Sequence, residues 1–157
     1  MAHTSLPLER CLEILRRVQV GRLATCRDGE PYVVPLSFVY HRDRVYFHCA
    51  CHGRKLDNIA ANPRVCFQVD DEATILPGPR ACNFTAHYFS AMVAGRARVV
   101  SDPDLRLDAL RALAAKYDPE GMAPMLTQED LDKQAVLVIE IMPEAITGVD
   151  HSRLPAK

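Results

Sequence analysis

Two tight-turn signals lie close together in this chain, and they constrain its fold more than any other feature. Arg27-Asp28-Gly29-Glu30 contains the Asp-Gly pair typical of two-residue hairpins, and it separates the strand-like segments 20–26 and 31–40. A second turn at 41–43 leads into another strand-like segment, 44–50. Because strands joined by such short turns pair antiparallel, this part of the chain predicts an antiparallel meander.

The remaining segments predict further strands with helices around them. Apolar residues at helical spacing predict helices over 8–18 and 102–117, the second with Asp102 as its cap. Other predicted features are strands at 65–69, 87–100 with a bend at Gly95, and 136–141 ended by Pro143, a short helix after Gly53, a loop over 71–86 and a capping box at 127–130. Strands and helices do not alternate regularly, so the predicted class is mainly β (α+β), with about six strands in a closed or half-closed barrel.

Composition sets limits on the class of protein. The 157 residues are 48% hydrophobic and 25% charged, which predicts one globular domain over 1–157. A net charge of -1 argues against nucleic acid or an anionic membrane as partner. No apolar run approaches the ~20 residues of a membrane span, and no signal peptide is apparent, so a cytoplasmic location is expected. The six cysteines are expected to be reduced and mostly buried.

The segment Gly53-Arg54-Lys55 combines a helix start with two cations. Backbone N–H groups, the positive end of the helix dipole and two cationic side chains together suit a dianionic phosphate. A solvated basic turn is the alternative explanation. The strand that ends immediately before this segment favours the phosphate, because it would bring a sheet edge next to the bound anion.

His48 alternates with the apolar face of its strand, which predicts that it points into a site. It could contact an aromatic ligand, transfer a proton near neutral pH or ligate a metal, and the sequence leaves these roles open. The segment Cys49-Ala-Cys51-His52 lacks the paired spacing of structural zinc sites, so no metal is predicted. Dinucleotide-binding, P-loop and nucleophile-elbow motifs are also absent from the sequence.

Several short motifs occur in a characteristic order along almost the whole chain. They are Gly21-Arg-Leu-Ala-Thr25, Pro31-Tyr-Val-Val-Pro-Leu-Ser-Phe38, Gly53-Arg-Lys-Leu-Asp-Asn58, Asn62-Pro-Arg-Val-Cys-Phe67, Ala81-Cys82-Asn-Phe-Thr85, Tyr88-Phe-Ser90, Gly95 and Ile146-Thr-Gly148. In this order they resemble the FMN-binding split barrels related to pyridoxamine 5′-phosphate oxidase, and among these the 5-nitroimidazole-resistance (Nim) subgroup. The chain has no tryptophan, and the carboxy-terminal Trp and Arg pattern of the true oxidases is absent.

The resemblance implies a six-stranded antiparallel split β-barrel with peripheral helices that forms a homodimer, with two flavin sites at the subunit interface. It implies that Leu36, Ser37 and Phe38 line the edge of the isoalloxazine through main-chain groups. His48, Cys49 and Gly53 would lie along the cofactor. Further cofactor-binding residues implied by position are Arg54 and Lys55 at the phosphate and Ser90 at the flavin from the long strand.

Two functional hypotheses follow. The first is a flavin-dependent oxidoreductase in which FMN passes electrons from NAD(P)H to a small acceptor, with nitroaromatics among the candidate acceptors and His48 as the catalytic residue. The second is a non-catalytic carrier or sensor on the same barrel that binds a flavin, FMN or FAD, or a haem, with His48, His52 or His87 as axial ligand.

Overall fold

The computed structural model describes residues 4–118, 120–133 and 136–152, and its elements form one antiparallel sheet with helices packed around it. The strands are β1 (Thr4–Ser5), β2 (Val20–Arg27), β3 (Glu30–Ser37), β4 (Val39–His41), β5 (Arg44–Ala50), β6 (Arg64–Leu76), β7 (Thr85–Val99) and β8 (Val136–Asp150). The α-helices are α1 (Leu8–Arg17), α2 (Arg54–Ala61), α3 (Pro103–Tyr117) and α4 (Gln128–Lys133).

The order of the strands explains why the barrel is split. The sheet runs β3-β2-β6-β7-β8-β5-β4, with β1 added to β8. Its two end strands, β3 and β4, are consecutive in the chain and are separated only by Phe38. The sheet therefore curls until its edges meet at Phe38, and beyond that residue the edges stay apart. This arrangement confirms the predicted mainly β split barrel with peripheral helices.

The strand count differs from the six that were predicted, because the described residues form eight strands. The predicted strand 31–40 is interrupted at Phe38, whose backbone groups bond to a helix side chain instead of to a neighbouring strand. The very short β1 pairs Thr4 with Asp150 and adds a further strand beside β8. Both additions depend on contacts between residues far apart in the chain.

The strands around the predicted loop 71–86 are longer than expected. β6 continues to Leu76 and β7 begins at Thr85, and these two residues pair with each other. The register shifts between Asp71 and Thr74, which marks a bulge in β6. The predicted loop is therefore largely an extended hairpin. The local sequence pattern did not indicate it, because the cross-strand hydrogen bonds that form the hairpin join two separate polar segments.

The predicted bend at Gly95 is confirmed, and it explains why Pro143 does not end the last strand. The β7–β8 register shifts between Ala94 and Gly95, and Gly95 faces Pro143. Proline has no N–H to donate, but at this irregularity no regular hydrogen bond between the strands is lost. The strand β8 therefore continues to Asp150. A Cβ atom on Gly95 would lie 2.2 Å from the carbonyl oxygen of Met142, so only glycine fits there.

Two apolar clusters hold the elements together. The first fills the barrel and includes Leu23, Phe38, Phe67 and Ile139, with α1 contributing Ile14 and its neighbours. The second lies between α3 and the outer side of the sheet, and comprises Val39, Tyr46, Val100, Ala109, Leu113 and Val138. Through this second cluster α3 is fixed beside the β4–β5 hairpin.

Two local signals, the Asp28-Gly29 turn and the Asp102 cap, are also confirmed. Asp28 and Gly29 have φ angles of 52° and 81°, as a primed hairpin turn requires. The Asp102 carboxylate accepts a hydrogen bond from the Leu105 N–H at 2.8 Å and caps α3. Among the described residues, no helix combines the length and apolarity needed to cross a membrane.

Candidate functional site

The split in the barrel runs between β3 and β5. The β4–β5 ladder ends at the pair Val39 and Tyr46, and continuing its register by two residues places Ser37 opposite His48. From this point β3 pairs with β2 and β5 pairs with β8, so the two strands diverge. Ser37 and His48 are both exposed. They mark the narrow end of the split.

Tyr117, the last residue of α3, occupies the point where the strands separate. Its hydroxyl accepts a hydrogen bond from the Phe38 N–H at 2.9 Å and lies 2.8 Å from the Phe38 carbonyl oxygen. The same hydroxyl contacts the carbonyl of Gln19, so two carbonyls share its one proton. Burial raises the pKa of Tyr117, so the hydroxyl keeps that proton at neutral pH. One side chain thus replaces the missing ladder partners of Phe38.

Lys116 joins the same end of α3 to α1. Its ammonium group donates hydrogen bonds to the carbonyls of Val18 at 2.6 Å and Leu15 at 3.4 Å. It also lies 3.8 Å from the centre of the Phe38 ring. The carbonyls at the end of α1 and the aromatic face both favour the charged form of Lys116. Burial acts in the opposite direction and lowers the pKa of Lys116 to about 8. The end of α3 therefore holds α1 and the β3–β4 junction as one packed unit.

Replacing Tyr117 by phenylalanine should lower the free energy of unfolding by about 1–3 kcal/mol, because buried backbone groups of Phe38 lose their partner. Urea denaturation of wild type and variant measures the difference. Tyr40→Phe is the matched control, since among the described residues the Tyr40 hydroxyl hydrogen-bonds to Asp43, at 3.3 Å on an exposed turn, and not to buried backbone. Equal losses in the two variants would contradict the role given to Tyr117.

A cavity of about 480 Å³ opens between α3 and the narrow end of the split. The polar side chains at its base are Ser37 and His48, next to Tyr117. Its other walls are apolar and come from α3 on one side and from the segment around α4 and the start of β8 on the other. The split and the cavity are therefore continuous, with the two polar side chains at their junction.

The wide end of the split lies at the start of α2. Gly53, which precedes the helix, has a φ of 132°, a conformation that favours glycine, and no atom lies within 4 Å of where its Cβ would be. Among the described residues no side chain caps this helix. Its first N–H groups therefore have no side-chain partner in the described part of the chain, and free N–H groups at the positive end of a helix dipole are the arrangement that anions bind.

Arg54 and Lys55 follow Gly53 and point toward opposite sides of the split. The Arg54 guanidinium lies 4.8 Å from the centre of the Tyr32 ring on β3. Lys55 lies close enough to Cys49 on β5 to oppose, electrostatically, the rise that burial causes in the pKa of that thiol. The two cations thus flank the split. Tyr32 and Ser37 are five residues apart on β3, roughly 17 Å along the strand.

Several other predicted residues have side chains in the barrel interior. Phe38 and Cys49 are buried in the first apolar cluster, and Leu36 packs against it. Their side chains are directed into the core, so only their main-chain groups could face a ligand in the split. A main-chain role is also what the resemblance implies for Leu36 and Phe38, and it stays a prediction.

Ser90 lies far from the other predicted residues within one chain. His48 pairs with Val138 on β8, whereas Ser90 pairs with Val149 on the same strand. These two β8 positions are eleven residues apart, roughly 36 Å along the strand. The structure therefore brings Ser37 and His48 together, and it places Ser90 elsewhere.

The histidines and cysteines of the described residues are spread over different parts of the fold. His52 is exposed after β5, and the ring of His87 on β7 packs against Phe89 with 6.1 Å between centres. Cys49 is buried and Cys51 is exposed, so these neighbours face different surroundings. Among the described residues no group of three or more His, Cys, Asp or Glu side chains is placed to hold a metal ion.

The contribution of α3 to the site was not predicted from the sequence. The apolar spacing over 102–117 predicts the helix, but no local signal indicates which backbone groups the Tyr117 hydroxyl contacts. The partner, Phe38, is 79 residues away in the chain. Only the packing of the second apolar cluster brings them together.

Comparison with known proteins agrees with this geometry. The model of the pyridoxamine 5′-phosphate oxidase family matches residues 7–149, so the chain belongs to that family. An uncharacterized protein of Rhizobium meliloti (strain 1021) is 33% identical over 66 residues, which are 42% of this chain. The match spans 43% of that relative's length, less than half of it.

Solved structures share the fold. The flavocytochrome Anf3 of Azotobacter vinelandii superposes with a TM-score of 0.82 and 21% identity, over 98% of this chain and 72% of that one. A candidate 5-nitroimidazole antibiotic resistance protein of Bacteroides thetaiotaomicron gives a TM-score of 0.77 and 20% identity, over 95% and 89% of the chains. A FAD-binding protein of Mesorhizobium loti gives 0.64 and 26% identity, over 96% and 99%.

Proposed function

We propose that this protein is a flavin-dependent oxidoreductase that holds FMN along the split between β3 and β5. The phosphate would be held at the start of α2 by Gly53, Arg54 and Lys55. The ring would be held at the other end by the main chain of residues 36–38 and by His48. The main chain at Cys49 would line the stretch between them.

One observation carries this proposal: the split has a different chemistry at each end. The wide end offers an uncapped helix start and two cations, whereas the narrow end offers the uncharged hydroxyl of Ser37 and an imidazole beside an apolar cavity. These ends are five positions apart along β3, at Tyr32 and Ser37. An elongated ligand with an anionic tail and an aromatic head matches both ends.

When bound, a flavin would supply electron transfer between a reduced nicotinamide, NAD(P)H, and a small acceptor. The chain itself would bind the tail, orient the ring and limit access of water. Nitroaromatics are candidate acceptors, in line with the shared fold of the Bacteroides protein. FAD is the alternative flavin, and the 26% identical Mesorhizobium loti protein, which is FAD-binding, supports that alternative.

An absorbance scan of freshly purified protein tests the proposal. Flavin bands in the near-ultraviolet and blue are expected, and mass spectrometry of what denaturation releases then separates FMN from FAD. A preparation that is colourless and stays so after incubation with excess FMN and FAD would contradict flavin binding.

Haem binding by a carrier or sensor is the second candidate, and the position of His48 beside an apolar cavity favours it. A histidine imidazole is a common axial ligand of haem iron. The flavocytochrome of Azotobacter vinelandii shares the fold. His52 is exposed and His87 packs against Phe89, so His48 is the best placed of the three. A Soret band in the same scan would support this candidate over the first.

His48 is proposed to donate a proton or hydrogen bond to the acceptor as it is reduced. His48→Ala should lower turnover by about 100-fold or more, the usual contribution of a positioned proton donor. Steady-state assays with NAD(P)H and a nitroaromatic measure this, with retained flavin absorbance as the check on binding. His52→Ala, an exposed histidine close by, should leave turnover unchanged. Unchanged turnover in His48→Ala would exclude the role.

A homodimer with the flavin sites at its interface is also proposed. The outer face of the sheet carries a row of small side chains in register, from Ala24 through Cys66 and Ala94 to Ala145. Such a smooth row lets a second sheet approach closely. Within one chain Ser90 lies far from His48, so Ser90 could join this site only from a second copy.

Sedimentation velocity checks the assembly. The expected particle has twice the 17.5 kDa mass of the chain. A monomer that still binds flavin would contradict sites at an interface.

We further propose a cytoplasmic location, which the six unpaired cysteines support because a reducing compartment keeps thiols free.

A further inference from the structure

The cavity beside the split has an unusual distribution of polar groups. On the α3 side it is lined by Leu110, Leu113 and Ala114. On the opposite side it is lined by Leu126, Leu131 and Val136. Within the part of the chain that the structure describes, the lining contains no Lys, Arg, Asp or Glu side chain. Its hydrogen-bonding groups are therefore confined to one end.

That polar end is formed by Ser37 and His48, which also border the split. The third polar group, the Tyr117 hydroxyl, already contacts the backbone of Phe38 and Gln19. Among the described side chains that line the cavity, those able to form hydrogen bonds with a molecule inside it therefore lie along the edge that faces the split. The remaining surface of such a molecule meets leucine, valine and alanine side chains.

We propose that this cavity is the substrate site, and that it selects an uncharged, largely apolar molecule whose polar edge faces Ser37 and His48. The inference rests on the proposed function, because it places the acceptor next to the groups that would hold the flavin ring. It also means that a phosphorylated substrate such as a pyridoxamine phosphate is excluded, although the chain belongs to that oxidase family.

The exclusion follows from the energetics of burying charge. A phosphate against apolar walls loses its hydration, and no cationic side chain among the described lining residues can pair with it, which is strongly unfavourable. The cations of the split, Arg54 and Lys55, lie at its other end, near Tyr32, which is five positions along β3 from Ser37. Arg106 and Arg111 do not line the cavity, and they donate hydrogen bonds to the carbonyls of its wall residues Leu131, Val136 and Leu126.

Ala114 offers a sharp test because its neighbour Ala115 provides a matched control. Ala114 lines the cavity, whereas Ala115 is exposed on the same helix. Replacing Ala114 by leucine should fill part of the cavity, and Ala115→Leu should leave it unchanged. One or a few methyl groups in an apolar pocket typically change affinity by about tenfold or more. Leu126→Phe fills the cavity from the opposite wall and serves as a second variant if Ala114→Leu unfolds.

The experiment is isothermal titration of the purified protein, with the flavin it carries, using menadione as the uncharged probe and pyridoxine 5′-phosphate as the anionic probe. Menadione should bind, Ala114→Leu should weaken binding at least about tenfold, and Ala115→Leu should not. Pyridoxine 5′-phosphate should neither bind in the cavity nor displace menadione. Equal menadione affinity in both variants, tighter binding of the phosphate probe, or displacement of the flavin by menadione would each overturn the assignment.

Visible absorbance of the same samples separates this inference from the proposed function. Protein that lacks flavin but still binds menadione in an Ala114-dependent way would support the cavity assignment and contradict the flavin proposal. Protein that holds flavin but binds menadione equally well with or without Ala114→Leu would support the flavin proposal and contradict the cavity assignment.

Discussion

Replacing Arg54 and Lys55 together by alanine should weaken FMN binding roughly 100-fold or more and leave riboflavin binding unchanged. A hydrogen bond to a charged group contributes about 1.5–3 kcal/mol, and both cations would contact the phosphate. Riboflavin has no phosphate, so its affinity depends on the ring end of the split. Flavin-free protein is titrated with FMN or with riboflavin, and quenching of flavin fluorescence measures both affinities.

The control for this prediction changes the net charge by the same amount at a distance. Arg96 and Lys133 are both exposed, on β7 and α4, and Arg96→Ala with Lys133→Ala should leave FMN affinity unchanged. If the Arg54 and Lys55 substitutions weakened the binding of FMN and of riboflavin equally, the two cations would be supporting the fold of the split. If neither ligand were affected, the phosphate would bind elsewhere.

The largest effect on stability is expected at Glu140, which is fully buried on β8. Arg44 on β5 donates to one of its oxygens at 2.6 Å, and Arg98 on β7 donates to the other. The carboxylate thus connects three adjacent strands. Arg44→Met with Arg98→Met leaves it buried without a cation, so the free energy of unfolding should fall by about 3–5 kcal/mol. Urea denaturation measures the change.

A third substitution separates loss of charge pairing from loss of packing. Adding Glu140→Leu to the two methionine substitutions removes the stranded carboxylate and should recover most of the stability, because apolar replacement of a whole buried ion network is often tolerated. A triple variant as unstable as the double variant would show that the arginines act through packing. The same three positions would then be coupled by shape, not by charge.

Elements with local causes could be predicted from the sequence. The Asp28-Gly29 turn adopts the two positive φ angles that this pair favours. Thr127 and Asp130 exchange hydrogen bonds at the start of α4, as the capping-box pattern indicated. Each feature depends on residues within three positions of each other, so side-chain chemistry and backbone preference were sufficient.

Elements that depend on distant partners could not be predicted in this way. The extension of β6 to Leu76 requires Thr85 opposite it, and the continuation of β8 past Pro143 requires Gly95 opposite it. In both cases the local pattern indicated a loop or an end. The hydrogen bonds that stabilise these segments come from another strand.

The same distinction applies to the candidate site. The chain's own sequence determined that two cations follow a glycine at a helix start and that His48 faces away from the apolar side of its strand, because both depend on short spacing. Only the tertiary structure decided that the sheet separates at Phe38, with Tyr117 holding the separation and a cavity beside it. These features arise from the packing of α3 on the outer side of the sheet, where one hydroxyl contacts backbone groups 79 residues distant in the chain.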